Sequence, residues 1–509
     1  MLVLLVAVVS AVVAEKSAVD LSRLPDGFLM GTATSAYQTE GAWNEDGKGE
    51  SIWDNLVHRN PNYSVDCSNG DVAADSYHKY RRDVAMLKEL GVDVYRFSVS
   101  WPRIMPTGDP TEINDRGVAH YDALINLLLE NGITPMVTMY HWDLPQRLQD
   151  LGGWANPIMA YYFEEYANVL FTKFGDRVKW WVTINEPEHI AAGYEPALSL
   201  YVPSVAPGLP GHPGVGSYLA AHTMLLAHGR AYRLYNTTFR HRQHGRLGLA
   251  LSAVHIQPAS DAPEDVAAAR RLFQFQVGWF AHPVYSAEGD YPPVMRERID
   301  CRSRMEGRWR SRLPSFSEHE RRMLTVPDIF VPIGSADFIG VNEYTSSLGR
   351  SNESAGDAGA SMDLNPQWPT AAAKWLQVVP WGFREILNTL AKEYPGYPIF
   401  VTENGYADLG GLNDTDRIHY IVSYMSEMLK AIYVDKVPVI GYTYWSLMDS
   451  YEWDNGYRIK FGLYSVDFKH SDRKRRPKQS ARVIAAIIKR KRLPQWLNMT
   501  AESIGKSLG

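Results

Sequence analysis

The sequence is poor in cysteine, in net charge and in long apolar runs. Cysteine occurs only at Cys67 and Cys301, which excludes a disulfide scaffold and a local cysteine metal knuckle and leaves open whether the two residues pair. The 52 basic and 57 acidic residues give a net charge of −5, so no global charge attracts nucleic acid. No run beyond the N-terminus approaches the roughly 18 apolar residues of a membrane span, so neither nucleic acid nor membrane is expected as a partner.

Aromatic residues are abundant instead. The chain contains 15 Trp, 29 Tyr and 16 Phe, or 12% of its 509 residues. Flat apolar rings suit the C–H faces of sugars, although an aromatic-rich core explains the same composition. The hydrophobic fraction of 45% is typical of a folded protein.

The first fourteen residues, MLVLLVAVVSAVVA, resemble the apolar part of a secretory signal with cleavage after Ala14. Five glycosylation sequons follow, beginning at Asn62, Asn236, Asn352, Asn413 and Asn498. Together they predict a secreted glycoprotein of the extracellular space or gut lumen. Residues 15–509 are predicted to form a single domain.

Eight short β-prone runs alternate with helical patterns. The runs are FLMGTA (28–33), VYRFSVS (94–100), TPMVTMY (134–140), WWVTIN (180–185), RLGLALS (246–252), DFIGVN (337–342), PIFVTEN (398–404) and IGYTYWS (440–446). The helical patterns Tyr80–Gly91 and Tyr121–Gly132 each close on a glycine, a helix-ending signal. This alternation predicts an α/β fold, a (β/α)₈ TIM barrel with long loop insertions at 186–245 and 290–336.

Polar and aromatic residues cluster where these strands end, which is where TIM barrels carry their chemistry. They are Gln38, Arg96, His141, Trp142, Asn185, Glu186, Asn342, Tyr344, Glu403, Trp445, Glu452 and Trp453. Two glutamates on nearly opposite strands are the pair that glycoside hydrolysis requires. Glu186 suits the protonated acid and Glu403, facing Arg96 and Tyr344, the ionised partner. Asn-Glu-Pro (185–187) or Glu-Asn-Gly (403–405) taken alone is more often a structural turn. The combination of such residues at successive strand ends favours a functional site.

Seven stretches carry a resemblance to a known family. They are FLMGTATSAYQTEG (28–41), YRFSVSWPRIMP (95–106), YHWDLPQ (140–146), TINEP (183–187), DFIGVNEYTS (337–346), FVTENG (400–405) and YTYWSLMDSYEW (442–453). In this order, over about 22–492, they resemble glycoside hydrolase family 1, and most of all its secreted animal members, insect ones included. The resemblance implies a retaining β-glycosidase without cofactor or metal.

By that resemblance Glu186 is the acid/base and Glu403 the nucleophile, held by Arg96 and Tyr344. The remaining implied substrate contacts are Gln38, His141, Trp142, Asn185, Asn342, Glu452 and Trp453, with Trp445 as the platform beneath the sugar and Trp375 on the leaving-group side. Glu343 departs from the family, which usually has an aromatic residue or histidine there. Its carboxyl is expected either near the site or in the outer shell.

The resemblance implies hydrolysis of terminal β-D-glucosyl residues, with β-galactosyl and β-fucosyl residues also open, from a small-molecule or oligosaccharide glycoside. A monomer or homodimer is expected. One alternative is a myrosinase-like thioglucosidase or other plant-defence glucoside hydrolase, which basic residues facing a sulfated aglycone would favour. Another is a catalytically silent carbohydrate-binding relative, although both glutamates are retained. The basic segment 469–492 is expected to be a solvated face.

Overall fold

The computed structural model describes residues 20–195, 214–327 and 332–494. The predicted signal segment, residues 1–14, and the sequon at Asn498 lie outside this part of the chain. None of the helices in these three ranges is long and apolar enough to cross a membrane.

The architecture is a closed barrel of eight parallel strands in sequential order, in which the eighth strand pairs with the first. The strands are β1 (Leu29–Ala33), β2 (Val94–Ser98), β3 (Thr134–Tyr140), β4 (Trp180–Asn185), β5 (Arg246–Ser252), β6 (Phe338–Asn342), β7 (Ile399–Glu403) and β8 (Val439–Trp445). Each predicted run overlaps one barrel strand, so the predicted (β/α)₈ fold is confirmed.

Helices cover the outside of the barrel. One follows each strand: α1 (Ser76–Leu90), α2 (Asp115–Glu130), α3 (Met159–Phe174), α4 (Gly216–Leu234), α5 (Trp279–Tyr285), α6 (Pro380–Glu393), α7 (Thr415–Tyr433) and α8 (Gln479–Arg490). On α1 the apolar residues Val84, Leu87 and Leu90 are buried, and Gly91 ends the helix at a φ of 74°. That left-handed conformation costs glycine little, which explains the predicted helix end.

The loops carry the remaining elements. The further helices are Ala36–Thr39, Ile52–Arg59, Trp101–Ile104, Gln146–Asp150, Pro187–Gly193, Arg240–Gln243, Pro263–Phe273, Pro293–Met305 and Glu318–Leu324, with single turns at Gly153–Ala155, Tyr235–Phe239, Gln274–Gly278 and Trp453–Asn455. The small strands are His255–Pro258, Ser346–Ser351 and Ala360–Asp363 in one sheet, Thr325–Pro327 with Pro332–Gly334, and Tyr464–Val466 with Arg475–Pro477.

The barrel interior has an apolar and a polar level. The apolar level, hereafter the lower level, consists of Val94, Met136, Val182, Ala250, Phe338 and Phe400, all buried. Alternate residues of a strand face the same side, so two positions beyond Val94 the strand β2 again points inward, with Arg96. The polar level that begins there, at the carboxyl ends of the strands, is the upper level.

Two details differ from, or add to, what the sequence indicated. In the basic segment 469–492, Arg475 and Lys478 are buried rather than solvated. Their ion pairs with Asp83 (2.9 Å) on α1 and Asp449 (2.8 Å) in the loop after β8 hold the chain just before α8, because buried charges require such partners. The expectation of a solvated face is therefore wrong for these two residues.

Cys67 and Cys301 are both exposed and unpaired.

Candidate active site

A cavity of about 400 Å³ opens at the carboxyl ends of the strands. Twelve of the thirteen predicted site residues line it, namely Gln38, His141, Trp142, Asn185, Glu186, Asn342, Tyr344, Trp375, Glu403, Trp445, Glu452 and Trp453. The thirteenth, Arg96, lies behind the cavity wall and reaches it through Glu403. Residues from all along the chain thus meet in one place.

Glu403 is the last residue of β7 and lies next to a register shift between β7 and β6. Such irregularities re-aim side chains and are common beside active sites. Arg96 donates from Nη1 to Glu403 Oε1 at 2.5 Å, and Tyr344 donates from Oη to Oε2 at 2.6 Å. Both carboxylate oxygens of Glu403 therefore receive a direct donor.

Glu186 follows β4 directly and precedes the helix Pro187–Gly193. Its φ of 46° is left-handed, an uncommon conformation for a residue with a Cβ and one that clusters at functional sites. Asn342 donates from Nδ2 to Glu186 Oε1 at 3.0 Å, and the nearest basic group, His189 Nε2, is 3.8 Å from Oε2. In contrast to Glu403, no guanidinium contacts this carboxyl among the described residues.

One hydrogen-bond network joins the two carboxyl groups. Arg96 donates from Nη2 to Asn185 Oδ1 at 2.5 Å, and Asn342 donates to the same oxygen at 3.0 Å. The path from Glu403 to Glu186 therefore runs through Arg96, Asn185 and Asn342. Side chains joined in this way hold each other's rotamers, so the two carboxyl groups have a fixed mutual position.

Burial raises the pKa of both glutamates to about 7. For Glu186 the Asn342 hydrogen bond and the charge of Arg96 oppose the rise. For Glu403 the charge of Arg96 and the hydrogen bonds from Tyr344 and Arg96 oppose the rise, whereas the charge of Glu186 adds to it. Two coupled groups lose their protons one after the other, and these donors favour loss from Glu403 first. The singly protonated state then has an ionised Glu403 and a neutral Glu186.

The other cavity residues supply hydrogen-bonding groups and flat rings. Gln38 is oriented by Ser35 and by the carbonyl of Tyr451, to which its amide donates at 2.7 Å. His141 stacks on Trp445 with ring centroids 5.7 Å apart, and its Nδ1 has no hydrogen-bond partner among the described residues. Burial keeps His141 neutral by lowering its pKa. Such a set fits a small, highly hydroxylated ligand.

Glu452 is a third buried carboxyl group in the cavity. Burial raises its pKa to about 8, and Ser450 donates to its Oε1 at 2.8 Å. A carboxyl group with a free oxygen can bind two neighbouring hydroxyl groups. The rings of Trp142 and Trp453 lie beside it, with centroids 4.8 Å apart.

The glycine in the sequence Glu-Asn-Gly (403–405) at the end of β7 is required for steric reasons. A Cβ on Gly405 would lie 2.0 Å from the carbonyl oxygen of Trp445 on the adjoining strand. Only glycine permits this approach, which brings Glu403 and Trp445 to the same wall of the cavity. In this stretch Gly405 is therefore required by the packing, and Glu403 supplies the carboxyl group.

Glu343 does not line the cavity. Its side chain is 1% exposed, and Asn404 donates to its Oε2 at 3.4 Å, whereas Oε1 has no hydrogen-bond partner among the described residues. Burial raises its pKa well above the ordinary value, so the group is neutral. Of the two expectations for Glu343, the structure supports the outer shell, behind Tyr344.

The cavity lining also contains thirteen residues that the sequence analysis did not identify. They are His189, Ser252, Val254, Gln276, Thr345, Ser347, Met362, Asp363, Leu364, Asp454, Asn455, Ile459 and Phe461. Most belong to the segments between β5 and α5, β6 and α6, and β8 and α8, outside the predicted insertions, where sequence pattern gives no register with the barrel. Two of them carried a usable signal, because His189 lies one helical turn after Glu186 and Ser252 is the last residue of β5. No group of three potential metal ligands occurs among residues 20–195, 214–327 and 332–494.

Comparison with known proteins agrees with this geometry. The model of glycosyl hydrolase family 1 matches residues 21–493. The chain belongs to this family. It is 46% identical to myrosinase 1 of Brevicoryne brassicae over 90% of the chain and 97% of that protein, and 40% identical to human cytosolic β-glucosidase over 91% and 98%. The solved structure of aphid myrosinase superposes with a TM-score of 0.86 at 45% identity, covering 92% of this chain and 99% of that one.

Membership of this family makes the protein an O-glycosyl hydrolase of the β-glycosidase type. Its relatives include both myrosinase and β-glucosidases, so the family by itself leaves the glycoside that this chain hydrolyses to be argued from the cavity.

Proposed function

We propose that the protein is a retaining β-glycosidase that removes terminal β-D-glucosyl residues, with Glu403 as nucleophile and Glu186 as acid/base. The observation that carries the proposal is the contrast between two buried carboxyl groups in one cavity. Glu403 accepts hydrogen bonds from Arg96 and Tyr344, whereas Glu186 accepts one from the amide of Asn342 and contacts no guanidinium among the described residues. One group is thereby prepared to attack and the other to give up a proton.

In the first step an oxygen of Glu403 forms a bond to C1 of the sugar while the bond from C1 to the leaving oxygen breaks. Glu186 transfers its proton to that oxygen, so the aglycone leaves as a neutral alcohol and the sugar remains as an ester on Glu403. In the second step Glu186, now ionised, removes a proton from water as the water oxygen attacks C1. The ester bond breaks, and both carboxyl groups return to their starting states.

The remaining cavity groups would hold the glucosyl unit. Its hydroxyl groups would form hydrogen bonds with Gln38, His141, Asn185, Glu452 and Trp453. Trp142 and Asn342 would complete the pocket. Trp445, whose ring lines the cavity, would lie against the C–H face of the sugar. Trp375 would contact the aglycone; it lines the cavity edge-on to Tyr344, with centroids 5.8 Å apart.

A thioglucosidase is the second candidate, and the observation that favours it is the similarity to aphid myrosinase in sequence and in solved structure. The two candidates share the ester on Glu403 but differ in how much the leaving group depends on Glu186, because a thiolate leaves with little protonation. The retained Glu186 and its raised pKa support O-glycosides as the principal substrates.

We also propose that the protein is a secreted glycoprotein. The apolar residues 1–14 support export, and Asn62, Asn352 and Asn413 are exposed in the folded chain. Asn236 is only partly exposed, in the helical turn Tyr235–Phe239. We expect the protein released by insect cells to begin near Glu15 and to carry glycans on the three exposed asparagines. Peptide mass spectrometry before and after glycosidase treatment measures both; an intracellular, unmodified product beginning at Met1 would contradict the proposal.

The experiment that tests the catalytic proposal is proton NMR of the purified enzyme with 4-nitrophenyl β-D-glucoside. A retaining enzyme releases β-glucose first, followed by slow mutarotation. Initial release of α-glucose would assign a different role to Glu403. An absence of release from glucosides, galactosides, fucosides and thioglucosides alike would favour the catalytically silent alternative.

A further inference from the structure

Tyr344 depends on its backbone for its place beside Glu403. It lies two residues after β6, and its Oη donates to Glu403 Oε2 at 2.6 Å. Its ring has edge-on contacts with Trp375 and Phe461, at centroid distances of 5.8 and 5.9 Å. Because the ring is rigid, a shift of the Tyr344 backbone is carried to Oη. Whatever holds this backbone therefore also holds the hydrogen-bond donor.

Two tyrosines of α7 hold the backbone of Tyr344. Tyr420 and Tyr424 both donate from Oη to its carbonyl oxygen, at 2.9 and 3.3 Å. They lie one helical turn apart, and their rings stack with centroids 3.8 Å apart. Both side chains are buried, and burial raises their pKa values well above the ordinary range, so both hydroxyl groups keep their protons. Tyr420 and Tyr424 are hereafter called the tyrosine clamp.

The tyrosine clamp also contacts the chain that carries Glu403. Asn404, the next residue, donates from Nδ2 to Tyr420 Oη at 3.0 Å and to the carbonyl oxygen of Glu343 at 2.7 Å. Its Oδ1 accepts a hydrogen bond from Tyr442 at 2.8 Å. The hydroxyl group of Tyr420 thus joins the residue that follows the proposed nucleophile to the residue that donates to it.

We infer that the tyrosine clamp positions Tyr344 for its hydrogen bond to Glu403. The inference rests on the proposed function, in which Glu403 is the nucleophile. Neither clamp tyrosine lines the cavity, so both are positioning residues that act through Tyr344. A displacement of about 1 Å can cost on the order of 10²-fold in rate at a reacting group, and a carboxylate that loses a donor is less stable as an anion.

The charged and titratable groups that face Glu403 come from several elements. They are Arg96 on β2, Glu186 and His189 after β4, Tyr344 after β6 and Glu452 after β8. Burial raises the pKa of Glu403 to about 7, and the hydrogen bond from Tyr344 is one of the effects that oppose the rise. Weakening that bond should therefore raise the pKa of Glu403 further, so that a higher pH is needed to ionise it.

The test replaces each clamp tyrosine by phenylalanine, which removes the hydroxyl group and keeps the buried ring. We expect Tyr420→Phe to lower kcat/KM for 4-nitrophenyl β-D-glucoside about tenfold, and Tyr424→Phe, whose hydrogen bond is longer, about threefold. The acidic limb of the pH profile of kcat/KM should move up by about half a pH unit in Tyr420→Phe. Because both tyrosines donate to the same carbonyl oxygen, either variant carries the test if the other does not fold.

A second substitution shows whether the clamp acts through Tyr344. In the background of Tyr344→Phe, Tyr420→Phe should change kcat/KM by less than about twofold, because the donor that the clamp positions is already absent. An equal loss of kcat/KM in both backgrounds would show that Tyr420 acts by another route and would overturn the inference.

The matched control is Tyr235→Phe, the same chemical change at the amino end of the barrel. Tyr235 is fully buried, and its Oη accepts a hydrogen bond from the backbone N–H of Gly245, just before β5, at 2.7 Å. This variant should lower the thermal midpoint and leave kcat/KM within twofold and the acidic limb in place. Equal movement of the acidic limb in the control and in Tyr420→Phe would overturn the inference.

The outcomes separate the inference from the proposed function. If folded Tyr420→Phe and Tyr424→Phe keep kcat/KM within twofold and the acidic limb in place while Tyr344→Phe loses activity, the inference is wrong and the proposed function stands. Full activity of Tyr344→Phe overturns both the inference and the role that the proposed function gives to Tyr344. Failure of the unaltered enzyme to hydrolyse glycosides overturns the proposed function itself.

Discussion

The lower and upper levels of the barrel interior are built by the same strands and have opposite properties. β2 contributes Val94 to the lower level and Arg96 to the upper, and β7 contributes Phe400 and then Glu403. The lower level is apolar and packed, with Trp180 and Phe400 at a centroid distance of 5.6 Å. The upper level consists of buried polar groups in one hydrogen-bond network around an open cavity.

This difference indicates where stability and chemistry reside. Apolar packing at the lower level contributes to the free energy of folding through the area removed from water. Buried carboxyl groups at the upper level cost folding energy, since burial raises their pKa values and leaves them poorly solvated. A substitution at one level should therefore act mainly on stability, and at the other mainly on turnover.

The largest effect is expected from Glu403→Gln. Removing the proposed nucleophile should lower kcat by about 10⁴-fold or more, and it should lower the thermal midpoint as well, because the buried guanidinium of Arg96 keeps a hydrogen-bond acceptor but loses its charged partner. Stopped assays with 4-nitrophenyl β-D-glucoside and differential scanning calorimetry measure the two quantities. Activity within tenfold of the unaltered enzyme would place the nucleophile elsewhere.

Next in size is Glu186→Ala. Loss of a general acid should cost about 10²- to 10⁴-fold on a glucoside with a poor leaving group and much less on one with a good leaving group. Added azide should restore part of the activity by replacing water in the second step. Equal losses for all leaving groups, without rescue, would contradict the acid role.

At the lower level Phe400→Ala should mainly lower stability and leave turnover nearly unchanged. Removing a fully buried ring should reduce the free energy of unfolding by about 3–5 kcal/mol, with kcat per folded molecule within threefold. Denaturant unfolding gives the first value and active-site titration the second; Phe400→Leu is the matched control with a smaller loss. A large fall in kcat without loss of stability would erase the distinction between the two levels.

The pH dependence of kcat/KM should be bell-shaped around neutral pH. Below about pH 7 activity falls as Glu403 gains a proton, and above it activity falls as Glu186 loses one, since burial raises both pKa values to about 7. In Glu186→Ala, assayed with a good leaving group, the basic limb should disappear and the acidic limb remain. A basic limb that persists would assign it to another group.

The smallest effect is expected from Glu343→Gln. The carboxyl group is already neutral and touches Asn404 rather than the cavity, so an amide of the same shape should keep kcat within threefold and leave the pH profile unchanged. Glu343→Leu, which removes the contact with Asn404, should lower kcat more. A shifted profile in Glu343→Gln would mean that Glu343 is charged in the working enzyme.

The sequence predicted the barrel well because its strands are short β-prone runs between helices with glycine ends, and local pattern suffices for such units. It also predicted the residues of the inner cavity, because strand ends converge at one face of a barrel. Cavity residues such as Gln276 and Met362 were not predicted, because their positions depend on how the long segments after β5 and β6 pack against the barrel. The burial of Arg475 and Lys478 was not predicted for a related reason, since their acidic partners Asp83 and Asp449 lie elsewhere in the chain.

The most direct test of the central claim is to trap the glycosyl ester. An activated β-glucoside with fluorine at C2 slows breakdown of the intermediate, because fluorine destabilises the cationic character that develops at C1 in the transition state. After proteolysis, mass spectrometry should find one fluoroglucosyl group on the peptide that contains Glu403, with recovery of activity as the ester hydrolyses. A label on another residue, or hydrolysis of activated glucosides without any label, would contradict the assignment of Glu403 as the nucleophile.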